Sequence, residues 1–201
     1  MKKTLMIITA FLLTLATLAS AQTGPRIQLF VDAGGSDCAL RDVGPGEVQV
    51  HMLLLGAAGV GAVQFKAPRP DCWTNATWVG DNIPWTLFIG NTQATDPWGL
   101  SIAFLADVDC AAANSPIYLG SITYHLQGPS PVCCRYPVLK AFDLHPEFDT
   151  PIGTLCLYDH KLFGIAGGSM IINPDESCGC SDQTTSPVRF TKWGTVKALY
   201  R

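Results

Sequence analysis

Eight cysteines, Cys38, Cys72, Cys110, Cys133, Cys134, Cys156, Cys178 and Cys180, all follow an apolar N-terminal segment in this chain of 201 residues. An even cysteine set placed after such a segment constrains the fold more than any other feature. Disulfides persist in oxidising compartments, and each removes freedom from the unfolded chain, worth about 2–4 kcal/mol. The expected scaffold is an exported domain stapled by all eight cysteines. Adjacent Cys133 and Cys134 would need a strained peptide to bond to each other, and neighbours on a strand point to opposite faces. They are expected to take different partners, as are Cys178 and Cys180. Cys38 is expected to bridge to Cys110, since both fall at strand–loop junctions. The group from Cys133 to Cys180 is expected to staple largely within itself, with Cys72 joining it. Cys178-Gly179-Cys180 is the one spacing close to a metal or redox motif. No histidine lies near it in sequence, and the disulfide reading is preferred.

The N-terminal segment reads as a signal peptide over residues 1–21. Lys2 and Lys3 supply the positive start, Leu5 to Leu18 the apolar stretch, and Ala19-Ser20-Ala21 the cleavage site. The apolar stretch falls short of the roughly 20 residues that span a bilayer, and no later stretch is long enough. Without the two signal lysines, 11 basic residues face 16 acidic ones, a net charge of −5. That balance argues against nucleic acid or an anionic membrane as the main partner. The expected location is extracellular, cell-surface or periplasmic.

Few charged residues (14%), 19 glycines and 14 prolines point to an all-β domain rich in turns. Glu47 to Leu55 alternates, with Val48, Val50 and Met52 on one face and Glu47, Gln49 and His51 on the other. Ala62 to Lys66 places Val63 and Phe65 on one face. Ile117 to Gln127 is the longest expected strand, with Ile117, Leu119, Ser121, Thr123 and His125 sharing a face. Further strands are expected over 27–31, 73–79, 85–89, 100–105, 138–143, 154–157 and 168–172. Roughly nine strands between turn signals predict a two-sheet β-sandwich over 22–180. Ser181 to Thr191 reads as a linker. In the tail, 192–201, Trp193, Val196, Leu199 and Tyr200 fall at helical spacing.

Two stretches resemble known proteins. Ala62-Val63-Gln64-Phe65, Leu119-Gly120-Ser121-Ile122-Thr123-Tyr124 and Gly167 to Pro174 occur in an order that resembles cohesin-like β-sandwich modules. The resemblance implies an immunoglobulin-like sandwich and a binding role. The ending Lys192-Trp193-Gly194-Thr195-Val196-Lys197-Ala198-Leu199-Tyr200-Arg201 resembles the W-G-x-(I/V)-K-x-L-Y-R terminus of a group of secreted bacterial proteins that carry no assigned activity. That group shares an F-x-D-x-x-G-x-x-C opening like Phe30 to Cys38. This resemblance implies a shared export or surface-handling route. The tail is expected to be either a handle for sorting or assembly, read through Trp193, Gly194, Lys197, Leu199, Tyr200 and Arg201, or a docked amphipathic helix that completes the core.

Catalytic candidates are sparse. Asp143 with His145, and Asp159 with His160, put a carboxylate near an imidazole, and Ser169 offers a hydroxyl without a nucleophile elbow. His51 and His125 sit in strand patterns. Asp107 with Asp109, and Glu147 with Asp149, are the paired acids that glycoside hydrolysis or calcium would need. All of these read more simply as surface or turn residues. No cofactor or metal is expected. Trp73, Trp78, Trp85 and Trp98 cluster, and most are expected to fill the core. Trp98, in the turn Asp96-Pro97-Trp98-Gly99, is the expected exposed aromatic. Asn75-Ala76-Thr77 matches a glycosylation sequon and reads as chance. The function expected is a non-catalytic binding or structural module for a protein or glycan at the cell surface. A secreted hydrolase and a carbohydrate-binding module are the alternatives.

Overall fold

Residues 24–42, 44–56, 59–93, 95, 98–104, 116–141, 147–156 and 161–180, and the backbone of 190–191, are described by a computed structural model. In chain order the strands are β1 (Arg26–Phe30), β2 (Ala39–Leu40), β3 (Gly46–Leu55), β4 (Val60–Phe65), β5 (Ala76–Asn82), β6 (Phe88–Ile89), β7 (Leu100–Ala103), β8 (Ile117–Leu126), β9 (Cys134–Pro137), β10 (Ile152–Leu155), β11 (Leu162–Gly164), β12 (Ala166–Gly167), β13 (Ser169–Ile172) and β14 (Phe190–Thr191). The architecture is all-β, as composition predicts. Among the described residues there are fourteen strands, against the roughly nine expected. The surplus is mostly strands of two or three residues, too short to display a period of two.

One sheet runs β12-β1-β3-β8-β5 and the other β14-β11-β10-β4-β7-β6. A third, small sheet, β2-β13-β9, was not expected; β13 is buried along its whole length and pairs parallel with β2 and antiparallel with β9. A single apolar cluster draws Ile27, Leu29, Val50, Met52 and Ile122 from the first sheet and Val63, Phe65, Leu100, Ile102 and Phe163 from the second. Burying such side chains is the main force holding sandwich layers together.

The face expected for Ile117 to His125 breaks midway. Met52 pairs with Gly120 but Leu53 pairs with Tyr118, so Leu119 is a bulged residue. Beyond the bulge the inward set becomes Ile122, Tyr124 and Leu126, while His125 is exposed. Gly120 takes a φ of +143°, and a Cβ there would lie 2.5 Å from the Asn82 carbonyl oxygen. A bulge adds one residue to one strand, which flips every later side chain. The strand expected over 138–143 is, in its described part, the single bridge between Lys66 and Leu139, and the pairing lies earlier, in β9. The expected linker ends in sheet, since Phe190 and Thr191 pair antiparallel with Phe163 and Leu162.

Disulfides join Cys38 to Cys180, Cys72 to Cys134, and Cys133 to Cys178. Cys156 is also disulfide-bonded. Cys133 and Cys134 take different partners, as do Cys178 and Cys180. The expected bridge from Cys38 to Cys110 is corrected: parallel pairing of β2 with β13 carries Cys38 alongside the chain that continues to Cys180. Within the C-terminal group Cys133 pairs with Cys178, and Cys72 joins the group through Cys134, as expected; Cys180 instead reaches back to Cys38 and ties the end of the domain to its beginning.

Candidate functional site

The two main sheets present different outer faces. On the first, Glu47, Gln49 and His125 are exposed. On the second, alternation along β4 and β7 turns Val63 and Ile102 inward and leaves Ala62, Gln64, Ser101 and Ala103 outward. Ile152 and Thr154 of β10 continue this outer face. The residues are uncharged and, apart from Gln64 and Ile152, small, and they floor a groove of about 330 Å³.

Large apolar side chains rim the groove. Leu87, Phe88 and Ile89 are 48%, 45% and 71% exposed. They come from the end of the connection after Pro84 and from β6, the edge strand beside β7. Trp98, at 47% exposure, is outside the groove lining, and its backbone meets the floor. The Gln64 side-chain amide donates to the Trp98 carbonyl at 2.9 Å, which ties that turn to the groove floor. Gly99 makes the turn possible. Its φ is +66°, and a Cβ would lie 2.4 Å from the Phe65 carbonyl oxygen. Sequence reading places Trp98 in the open but takes 85–89 as an ordinary strand. Three consecutive apolar residues between Pro84 and Gly90, without alternation, were the available signal.

The remaining tryptophans divide. Trp73 is fully buried and packs on Tyr124 and Tyr136, with ring centroids 4.7 and 5.9 Å away. Its indole NH donates to Ser130 Oγ at 2.5 Å, and Ser130 Oγ donates to Asp42 in turn. Asn173 closes this network by donating to Asp42 at 3.0 Å and to the Ser130 carbonyl at 2.8 Å. Tyr124 and Tyr136 share a hydroxyl contact of 2.7 Å, and Tyr136 donates to the Ala67 carbonyl at 2.6 Å. Burial pushes the Tyr124 hydroxyl up to about 12 and the Tyr136 hydroxyl well above its ordinary value. Trp85 is half-buried against Phe104, and Trp78 is exposed with its indole NH on Asp81 at 3.0 Å.

The catalytic candidates are not brought together among the described residues. The Ser169 hydroxyl accepts from Arg135 Nε at 3.0 Å, and its residue is buried in the small sheet. His51 faces Tyr118, Nδ1 to hydroxyl 3.0 Å, and burial lowers its pKa while Asp32 opposes that shift. His125 stands exposed on β8. Asp149 is exposed and bridges to Lys140 at 3.4 Å, whereas Glu147 has both carboxylate oxygens covered. Asp107, Asp109, Cys110, Asp143, His145, Asp159 and His160 lie outside the described residues. So do the signal segment and the tail residues Trp193, Gly194, Lys197, Leu199, Tyr200 and Arg201. Cys133, Asp175 and Cys178 have ligand atoms close enough for a metal, but the two sulfurs are bonded to each other. The Asn75 side-chain amide donates inward to the Gly128 carbonyl, which sets the sequon asparagine to a structural task. In the Phe30 to Cys38 opening, the Asp32 carboxylate accepts from Ser36 N at 3.1 Å and Asp37 N at 3.0 Å. The Ser36 hydroxyl, which donates to the same carboxylate at 2.9 Å, holds the Asp32 pKa below the ordinary carboxylate value, and those backbone bonds add to the effect. The motif builds a turn that delivers Cys38 to its bridge.

No protein-family model matches the chain, and none of the curated proteins does. Among solved structures, the chain is similar to the sixth cohesin of scaffoldin B from Acetivibrio cellulolyticus, crystallised with a mutant Cel5 dockerin. The two are 11% identical with a TM-score of 0.48, and the match covers 76% of this chain and 100% of that one.

Proposed function

We propose that this chain is an exported, non-catalytic binding module that takes a protein partner on the outer face of the six-stranded sheet. One observation carries the reading: Leu87, Phe88 and Ile89, three large exposed apolar residues, line one groove whose floor is uncharged and mostly small. Exposed apolar clusters of this kind mark interaction surfaces more often than scattered single residues do. The partner suited to it presents apolar side chains, because the floor offers little to pair with a charge. Among the described residues β6 is an edge strand, and an extended segment of a partner can extend the sheet there. The disulfides support an oxidising compartment, and among the described residues no helix is long and apolar enough to cross a membrane.

A random peptide display library panned against the full chain tests this reading. Enriched peptides should be rich in apolar residues, and their binding should fall at least tenfold on Ile89→Asp while surviving Val132→Asp, an exposed apolar site outside the groove lining. Enriched peptides indifferent to Ile89→Asp, or no enrichment at all, would overturn it.

Exposed Trp98 favours a second reading, stacking on a sugar ring. Glycan-array binding that disappears on Trp98→Ala, with the peptides unaffected, would replace the protein partner with a carbohydrate.

A further inference from the structure

We infer that residues 192–201 fold back across the groove of the same chain and occupy it, so that any partner must displace them. The inference rests on the binding role proposed for that face and adds its regulation.

The position of β14 carries the argument. Thr191 pairs with Leu162, and Leu162 lines the groove. Leu162 pairs with Thr154, Thr154 with Ala62, and Ala62 with Ala103, so these four groove residues form one row across the sheet. The chain therefore enters residue 192 beside the first residue of that row. The inner side of the sheet is filled by the core, which leaves the outer face as the open route.

Reach and composition agree. From β14 to β6 is five strand spacings, about 24 Å at roughly 4.8 Å each. Ten residues span about 33 Å extended and about 15 Å as a helix. An extended segment crosses the whole groove, and a helix covers its nearer half. Trp193, Val196, Leu199 and Tyr200 supply large apolar side chains to a floor of mostly small ones, while Lys192, Lys197 and Arg201 can keep their charged ends in water. Apart from Gln64, whose amide is taken by the Trp98 carbonyl, strands β4 and β7 have small or apolar residues on both sides, as in sheets covered on both faces. Residues 105–115 follow Phe104 in sequence and are the other candidate, but they include Asp107 and Asp109, and carboxylates are costly against an uncharged floor.

Photo-crosslinking tests the inference on the full chain, with p-benzoylphenylalanine replacing Ile89, which pairs with outward-facing Ser101. The expected result is an intramolecular cross-link from position 89 to a peptide within 192–201, in monomeric protein. Cross-links to 105–115, to a second copy or to no protein segment each overturn it. A second measurement separates it from the binding role. Trp193→Ser with Leu199→Ser should tighten the library peptides at least tenfold by vacating the groove, and unchanged affinity would also overturn the inference. Should the cross-link form while no peptide binds either protein, the tail occupies the groove and only the binding role fails.

Discussion

The five-stranded sheet and the six-stranded sheet share one core but differ outside it. The first has an outer face that carries Glu47, Gln49 and His125, residues at ease in water. Near its β5–β8 side, Trp73, Tyr124, Tyr136, Ser130 and Asp42 form a connected set of rings and hydrogen bonds. The second sheet has an outer face mostly of alanines, serine and threonine rimmed by Leu87, Phe88 and Ile89, and the polar side chains there are few. The difference teaches where each sheet's residues are committed. Around the first sheet, and in the bridges beyond it, polar and sulfur groups are used up in holding the fold. On the second sheet's outer face, apolar groups remain available to an occupant.

The framework should break hardest. The bridge from Cys38 to Cys180 closes a separation of 142 residues, and Cys133 to Cys178 closes 45. In the chain-entropy account these are worth on the order of 5 and 4 kcal/mol. Paired replacement by serine should lower stability in urea in that order. Equal small losses, under about 1 kcal/mol, would show that the staples are dispensable.

Alkaline pH tests the buried ring cluster. An unfolded tyrosine ionises near pH 10, whereas burial holds the Tyr124 hydroxyl neutral to about 12 and Tyr136 further still. The folded state binds these protons more tightly, so the stability they lend is complete below about pH 10 and is lost as pH rises through the folded values. For Tyr124 alone the loss by pH 12 is on the order of 2–3 kcal/mol. Urea midpoints measured from pH 8 to 12 should fall above 10, and Tyr124→Phe should flatten that fall. A midpoint that holds steady through pH 12 would mean the rings are not enclosed.

The smallest effect belongs to the groove rim. Ile89→Ser removes an exposed side chain, and its stability change should stay within about 0.5 kcal/mol. A larger loss in thermal melts would place Ile89 in the framework and erase the contrast between the two sheets. Peptide binding should fall at the same time.

Much of the framework is legible from residue order because its signals are local. Alternation in Glu47 to Met52 and Ala62 to Phe65 reports which side chains meet the core, since strand side chains must alternate. Cysteine adjacency is enough to separate the partners of Cys133 and Cys134. The Leu119 bulge escapes, because one extra residue inverts the face of all that follow and nothing in the local pattern marks it. The Cys38–Cys180 bridge escapes for a similar reason: it depends on β2 pairing with β13, strands more than 120 residues apart.

The groove divides along the same line. The exposed position of Trp98 follows from a turn ending in glycine, a chemistry carried by neighbouring residues. That Leu87, Phe88 and Ile89 stand beside Ala62, Ser101 and Thr154 follows only from the strand order β10-β4-β7-β6. By itself the sequence determined an all-β, cysteine-rich chain and the faces of its regular strands, because propensity, alternation and redox chemistry act over a few residues. Tertiary structure alone decided which cysteines meet, where a face inverts and which exposed apolar residues form one surface, because those depend on contacts between strands far apart in the chain.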